Sequence, residues 1–260
     1  MKRFLVCLLA LSLSGVISAS AADKVVRAVQ KRLKHERFYF GKVDGVYNSE
    51  TAVAISRYQI RSGLEINGRI DPETANALGV KLRAQPLPAP PAAAETWRQL
   101  RKSDPRFLAG ERRKKKPPTA NPLVVDPTTR TLVLSRERLR DYVAGFILAG
   151  LDPQVGAEME FFGDQVDYFD DGMIGREKIR RDLERYDRRW PERRFWLAGE
   201  VNVEPRPDSL LRVTFPLRFE LRNGSKHVSG KVMKTLLVEV MGEDLNIVGV
   251  SEKRINETEH

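Results

Sequence analysis

"DGVYNSETAVAI" (44–55) and "NGRIDPETANAL" (67–78) nearly spell each other. Both run Asp/Asn-Gly, four residues, Glu-Thr-Ala, one residue, Ala, and then Ile or Leu. The Asp/Asn-Gly step favours a turn, because Gly and Asn tolerate positive φ. Each copy then offers a helix start. Asp71 suits the N-cap and Pro72 the first helical position, and Asn48 and Ser49 do the same work in the first copy. Glu50 and Glu73 fall in the first turn, where the helix dipole favours negative charge. Thr51, Ala54, Ile55 and Tyr58 keep helical spacing, as do Thr74 and Leu78, and Gly79 ends the second helix.

Upstream, "VVRAVQKRLKHERFY" (25–39) places Val26, Val29 and Leu33 on one face of a further helix. A solenoid needs at least three repeats to bury a continuous core. Two copies and a leading helix predict instead a closed three-helix bundle, small but feasible.

The chain opens "MKRFLVCLLALSLSGVISASAADK": a basic start, an apolar run from Phe4 to about Leu13, and small residues at 19–21. This is the pattern of a secretory signal peptide cleaved after Ala21. The run is too short to span a bilayer as a helix, which needs about 20 apolar residues. The lone cysteine, Cys7, lies inside this segment, so the mature chain is expected to hold no disulfide, thiolate nucleophile or cysteine metal site. The net charge of +10 becomes +8 without Lys2 and Arg3 (43 basic, 35 acidic residues), a balance that draws polyanions.

Residues 82–130 hold nine of the fifteen prolines, and "ERRKKKPP" (111–118) is a block of like charge. Such chain reads as a stiff, solvated spacer. Within it, "AAAETWRQLRK" (92–102) suits a short helix docked through Trp97 and Leu100. The block Arg112, Arg113, Lys114, Lys115 and Lys116 reads as solvated linker, with an anionic envelope polymer as an alternative partner.

From Leu134 the pattern grows richer. "LSRERLRDYVAGFILAGL" (134–151) is an amphipathic helix capped by Ser135, and Pro153 is expected to begin a shorter one. "QVDYFDDGMI" (165–174) reads as a strand and turn, and "REKIRRDLERYDRRWP" (176–191) as a helix stopped at Pro191. Four strand-like segments follow. The clearest is 211–221, where Leu211, Val213, Phe215, Leu217, Phe219 and Leu221 alternate with polar residues and Pro216. Proline lacks a donor, so Pro216 predicts an edge or a bulge. Asn223-Gly224 and Gly242-Glu243-Asp244 predict hairpins. Helices followed by an antiparallel meander predict an α+β layer.

Two resemblances follow from these residues. Gln30, Leu33, Asp44, Gly45, Tyr47, Thr51, Tyr58, Gln59, Gly63, Leu64, Gly68, Thr74 and Leu78 fall where the three-helix peptidoglycan-binding domain family has its landmarks. Asn48 stands where that family often has Gly, and Tyr58 where Phe is common. The resemblance implies non-catalytic binding of cell-wall glycopeptide, with Tyr39, Asp44, Tyr47 and Gln59 as candidate contacts. Gly45, Gly68, Thr51, Thr74 and the leucines read more readily as turn, cap and core. The second half, with "YFDDGMIGREKIRRDLERYDRRWPERRFWL" (168–197), resembles the nuclear-transport-factor-2-like (SnoaL-like) superfamily. That implies a curved sheet wrapped around helices to form a cone with a pocket, for which Tyr168, Asp170, Tyr186 and His227 are the candidate polar residues. The superfamily holds enzymes and non-enzymes, so fold says little about activity.

The expected organisation is therefore a signal (1–21), a three-helix domain (22–81), a linker (82–133) and an α+β cone (134–255). The residues make a zinc peptidase a poor fit: only His35, His227 and His260 exist, without a His-Glu-x-x-His run. No spacing singles out catalytic residues, and no metal or cofactor is expected. The reading is an exported, non-catalytic envelope protein, with an enzyme using the cone pocket as the alternative. Peptidoglycan is the expected partner and nucleic acid is not. A homodimer through the second domain's sheet stays open.

Overall fold

The computed structural model describes residues 16–82, 89–114 and 134–255. The apolar run at 4–13, Cys7, and Lys115 and Lys116 of the basic block lie outside the described residues.

The first unit is helical. Helices α1 (Val16–His35), α2 (Ser49–Ser62) and α3 (Pro72–Ala77) close around Val26, Val29, Leu33, Ile55, Ile70 and Leu78. Helix α1 runs through Ala21, the position expected to precede signal cleavage. The caps form as the sequence predicts. Asn48 Oδ1 accepts from the Thr51 amide at 2.9 Å, and Asp71 Oδ1 from the Thr74 amide at 2.7 Å. Gly63 and Gly79 both sit at φ +66°, where a side chain would be strained.

The repeat has a physical cause beyond its own letters. A glutamine from the preceding helix pins each turn. Gln30 Nε2 donates to Asp44 Oδ1 (3.1 Å), Val46 O (3.0 Å) and Thr51 Oγ1 (3.1 Å), while its Oε1 accepts from the Gly45 amide (2.8 Å). Gln59 Nε2 donates to Asn67 Oδ1 (2.8 Å), Arg69 O (3.2 Å) and Thr74 Oγ1 (3.0 Å), while its Oε1 accepts from the Gly68 amide (2.9 Å). Both glutamines are fully buried. Turn, cap and Thr recur because each set answers one buried amide, and a buried amide must find such partners.

The second unit is a mixed α/β fold. Helices α6 (Arg136–Ala149) and α7 (Arg176–Arg189) pack beside one curved sheet. Among the described residues its seven strands are β1 (Phe162–Tyr168), β2 (Met173–Gly175), β3 (Glu192–Leu197), β4 (Asn202–Arg206), β5 (Leu210–Asn223), β6 (Lys226–Met241) and β7 (Asp244–Arg254). The order is β2-β1-β7-β6-β5-β3, with β4 also on β5. All pairings are antiparallel except β1 on β7. Ser135 caps α6, its hydroxyl accepting from the Arg138 amide at 3.1 Å. The segment after Pro153 is a turn leading to a short 3₁₀ helix, Ala157–Phe161, rather than an α-helix starting at the proline.

Pro216 lies neither on an edge strand nor in a bulge. Strand β5 pairs on both sides, with β6 throughout and with β3 and then β4 on the other flank. Pro216 falls between the last β3 pair (Leu197↔Leu217) and the first β4 pair (Asn202↔Thr214). Its carbonyl accepts from the Ala198 amide at 2.9 Å, and its missing donor faces the gap where the partner changes.

Two helices lie between the units: α4 (Ala93–Lys102) and α5 (Pro105–Lys114). Trp97 and Leu100 of α4 join one continuous core with Val53, Ile60 and Ile66 of the first unit and Leu139, Tyr142 and Phe161 of the second. Gly145 on α6 lets α4 approach closely, since a Cβ there would sit 3.0 Å from the Trp97 carbonyl. The first unit also adds to the sheet edge. Glu65 bridges Trp196, and the Ile66 amide donates to Phe195 O at 2.9 Å. The otherwise open edge of β3 is thus met at Phe195 and Trp196, one way a protein protects an edge from unwanted pairing.

Candidate functional site

Two places bear on function: the turns of the helical unit and a cavity in the second unit. Of the proposed wall contacts, Tyr39 and Gln59 are buried and committed internally. The Tyr39 hydroxyl donates to Lys42 O at 2.7 Å and accepts from Gln30 at 3.3 Å, and burial raises its pKa. Gln59 is the second turn clamp described above. Neither presents a free face to a ligand. The sequence signal was there: Gln30 and Gln59 each precede one copy of the repeat.

Asp44 is exposed, and its carboxylate pKa is lowered by the Val46 amide and then by Gln30. Tyr47 is half-buried, and its hydroxyl donates to Gly68 O at 2.5 Å, tying the two turns together. Val46 beside them is 56% exposed. This corner of paired turns is the accessible part of the proposed contact set. The α2 side carrying Arg57 and Arg61 is occupied by the second unit.

The cavity encloses about 860 Å³ between α6, α7 and the concave face of the sheet. This is in the upper part of the size range of small-molecule sites. Its walls are apolar, with Phe146, Phe162, Trp190, Leu217, Phe219 and Val250 among them. Tyr168 and Tyr186 line it, as the sequence reading expected. Asp170 and His227 do not. Asp170 is exposed in the turn after β1, and His227 is exposed near the hairpin end of β6. Alternation along a strand does not by itself say which residues lie beyond the reach of the covering helices.

The other polar groups of the cavity come from places that sequence spacing did not mark. Asp182 on α7 accepts from the Tyr168 hydroxyl at 3.1 Å and from Arg185 at 2.8 Å. Lys234 on β6 pairs with Glu252 on β7 at 3.4 Å. Glu158, on the 3₁₀ helix, is 6% exposed. Burial raises its pKa to about 7, with its own amide opposing and Asp187 adding to the shift. Burial also lifts the Tyr168 pKa well above the usual phenol range. Arg189 and Arg254 complete the charged lining, and among the described residues neither has a carboxylate partner. Among the described residues no group of three His, Cys, Asp or Glu side chains could hold a metal ion. No described helix is long and apolar enough to cross a membrane.

Residues 23–78 match the family model described as "Putative peptidoglycan binding domain". The spore cortex-lytic enzyme of Bacillus cereus is 38% identical over 63 residues, which is 24% of this chain and 24% of that protein. The chain thus spans about a quarter of the length of the curated relatives it matches. Solved structures similar to part of the chain include Aln2 from a Streptomyces species, at 12% identity and TM-score 0.39, covering 50% of this chain and 94% of that one. Another is a nuclear transport factor 2 (NTF2-like) superfamily protein from Salmonella enterica, at 11% identity and TM-score 0.33, covering 44% and 80%.

Proposed function

We propose that this is an exported, non-catalytic protein of the cell envelope. It holds peptidoglycan through the helical unit and offers the cavity of the second unit to a small ligand. The observation that carries the wall-binding half is the family match over 23–78. The two glutamine clamps support it, because they shape the turns that leave Asp44, Val46 and Tyr47 at one accessible corner. The opening residues support export.

The non-catalytic reading is supported by how the cavity's acids are used. Asp182 is bonded to Tyr168 and Arg185, and Glu252 is paired with Lys234. One observation favours an enzyme instead: Glu158 holds a proton near neutrality in an apolar setting, as a general acid or base does. Incubating purified wall with the full chain and profiling the muropeptides separates the two for wall substrates. An unchanged profile is expected. New fragments, lost in Glu158→Gln, would establish the enzyme.

A further inference from the structure

We propose that the cavity takes an amphiphile with an apolar chain and an anionic head group, the head held by Arg189 and Arg254 at the mouth. This rests on the reading of the cavity as a ligand site.

The mouth is located by exposure. Among the lining residues Arg185, Tyr186, Arg189, Val228, Glu252 and Arg254 are exposed, whereas Phe162, Leu217, Leu221, Val232 and Val250 are buried. Strand register agrees. Val228 stands opposite Leu221 beside the hairpin that joins β5 to β6, and Arg254, the last residue of β7, stands opposite Val232, so that hairpin and the end of β7 form one side of the opening. The last turn of α7 forms the other, with Arg185 and Arg189 one helical turn apart on the same face.

Charge at this rim is not balanced. Arg185 is engaged by Asp182 and Lys234 by Glu252. Arg189 lies 5.5 Å from the Trp190 ring, and among the described residues neither it nor Arg254 has an acid paired with it. Two guanidinium groups therefore flank the opening of an apolar chamber without counter-ions from the described chain. Guanidinium forks recognise carboxylate and phosphate with paired hydrogen bonds. Inside, Phe146, Phe162, Phe219 and Leu217 suit a hydrocarbon chain, and Glu158, the one deep acid among the described lining residues, is largely protonated below about pH 7 and so does not oppose an anion. A neutral apolar ligand would leave the two cations unused, and a cationic one would be repelled by them.

The test is calorimetric titration of the full chain with four twelve-carbon probes, below their micelle concentrations: laurate, dodecyl phosphate, dodecanol and dodecyltrimethylammonium. At least one anion is expected to bind one to one, about ten-fold or more tighter than dodecanol, from one charge-assisted contact alone. Laurate alone assigns the head group as carboxylate, and dodecyl phosphate alone as phosphate. R189A/R254A, at exposed positions, should bring the anion down to the affinity of dodecanol and leave dodecanol unchanged. R189E/R254E should turn the preference toward the ammonium probe, which ties the effect to this mouth. Dodecanol binding as tightly as both anions, or anion binding untouched in both double variants, overturns the inference while the cavity stays a ligand site. No binding of any probe overturns the inference together with the ligand-site reading.

Discussion

Arg57 Nε in the helical unit donates to Asp141 Oδ2 in the second unit at 2.8 Å, with 3% and 0% of the two side chains exposed. Arg61 reaches the other Asp141 oxygen at 3.1 Å and Glu137 at 2.8 Å, and Ser103 adds a 2.8 Å bond to Asp141. The Phe107 ring lies under both guanidinium groups, 4.5 and 4.7 Å away. Asp141 therefore bridges two cations from a different unit, Glu137 supplies the second negative charge, and the Arg57–Asp141 pair at the centre is buried. A buried pair is costly to form but far costlier to leave half-made.

Asp141→Asn keeps the shape and removes the charge. It is expected to cost about 3–5 kcal/mol, the range for breaking a buried pair. Thermal unfolding should show it: one cooperative transition in the parent, and an early undocking step in the variant. R57M/D141L, which removes both members of the most deeply buried pair, should lose less than Asp141→Asn. Two unchanged melting curves would show that the ionic cluster does not hold the units together.

Trp97 is the apolar counterpart of that lock. It is fully buried, and its indole N–H donates to Asp152 at 2.8 Å. Trp97→Ala should cost about 3–5 kcal/mol, and Trp97→Phe less, though Asp152 then loses its donor. Chemical denaturation followed by circular dichroism gives both values. A loss under ~1 kcal/mol for the alanine would contradict the shared core.

Gln59→Leu tests the clamp. It strands the Gly68 and Asn67 amides and the Thr74 hydroxyl, each worth about 1–3 kcal/mol when buried without a partner. The variant should melt earlier, while wall affinity measured well below its melting point stays near the parent's. Lost affinity in a fully folded variant would restore Gln59 as a contact.

Glu158 makes stability depend on pH. Its native pKa is about 7, above the ordinary carboxylic value near 4.5. Between these values the folded state holds a proton that the unfolded chain has released, so stability falls as pH rises through the window and stays lower above it. Glu158→Gln should remove the slope and gain on the order of 3 kcal/mol above pH 7. Melting temperatures across pH 4 to 8 show it: an identical slope in parent and variant would assign the titration elsewhere.

Much of this was legible in the sequence. The repeat specified turns, caps and helix starts, because those depend on neighbours a few residues apart. Alternation at 211–221 gave β5, and the apolar stripes gave α6 and α7. What escaped depends on distant partners. Pro216 is tolerated because β5 changes neighbour beside it, which no local pattern encodes. Arg57 and Arg61 look like an ordinary solvated helix face until Asp141 arrives from 84 and 80 residues away. Glu158, Lys234 and Arg254 come from three elements that converge only when the sheet curves. Tyr168 and Tyr186 were found because they sit on an amphipathic strand and helix. His227 and Asp170 were misplaced because polarity near a pocket strand says nothing of depth.

The most direct measurement is sedimentation of the full chain with purified sacculi, with and without soluble peptidoglycan fragments, at low and at raised salt. The account predicts that the protein pellets with the wall, that soluble fragments release it, and that salt does not. Protein left in the supernatant would contradict wall binding. Release by salt alone would reduce the association to the pull of a net charge of +8 to +10 on a polyanion.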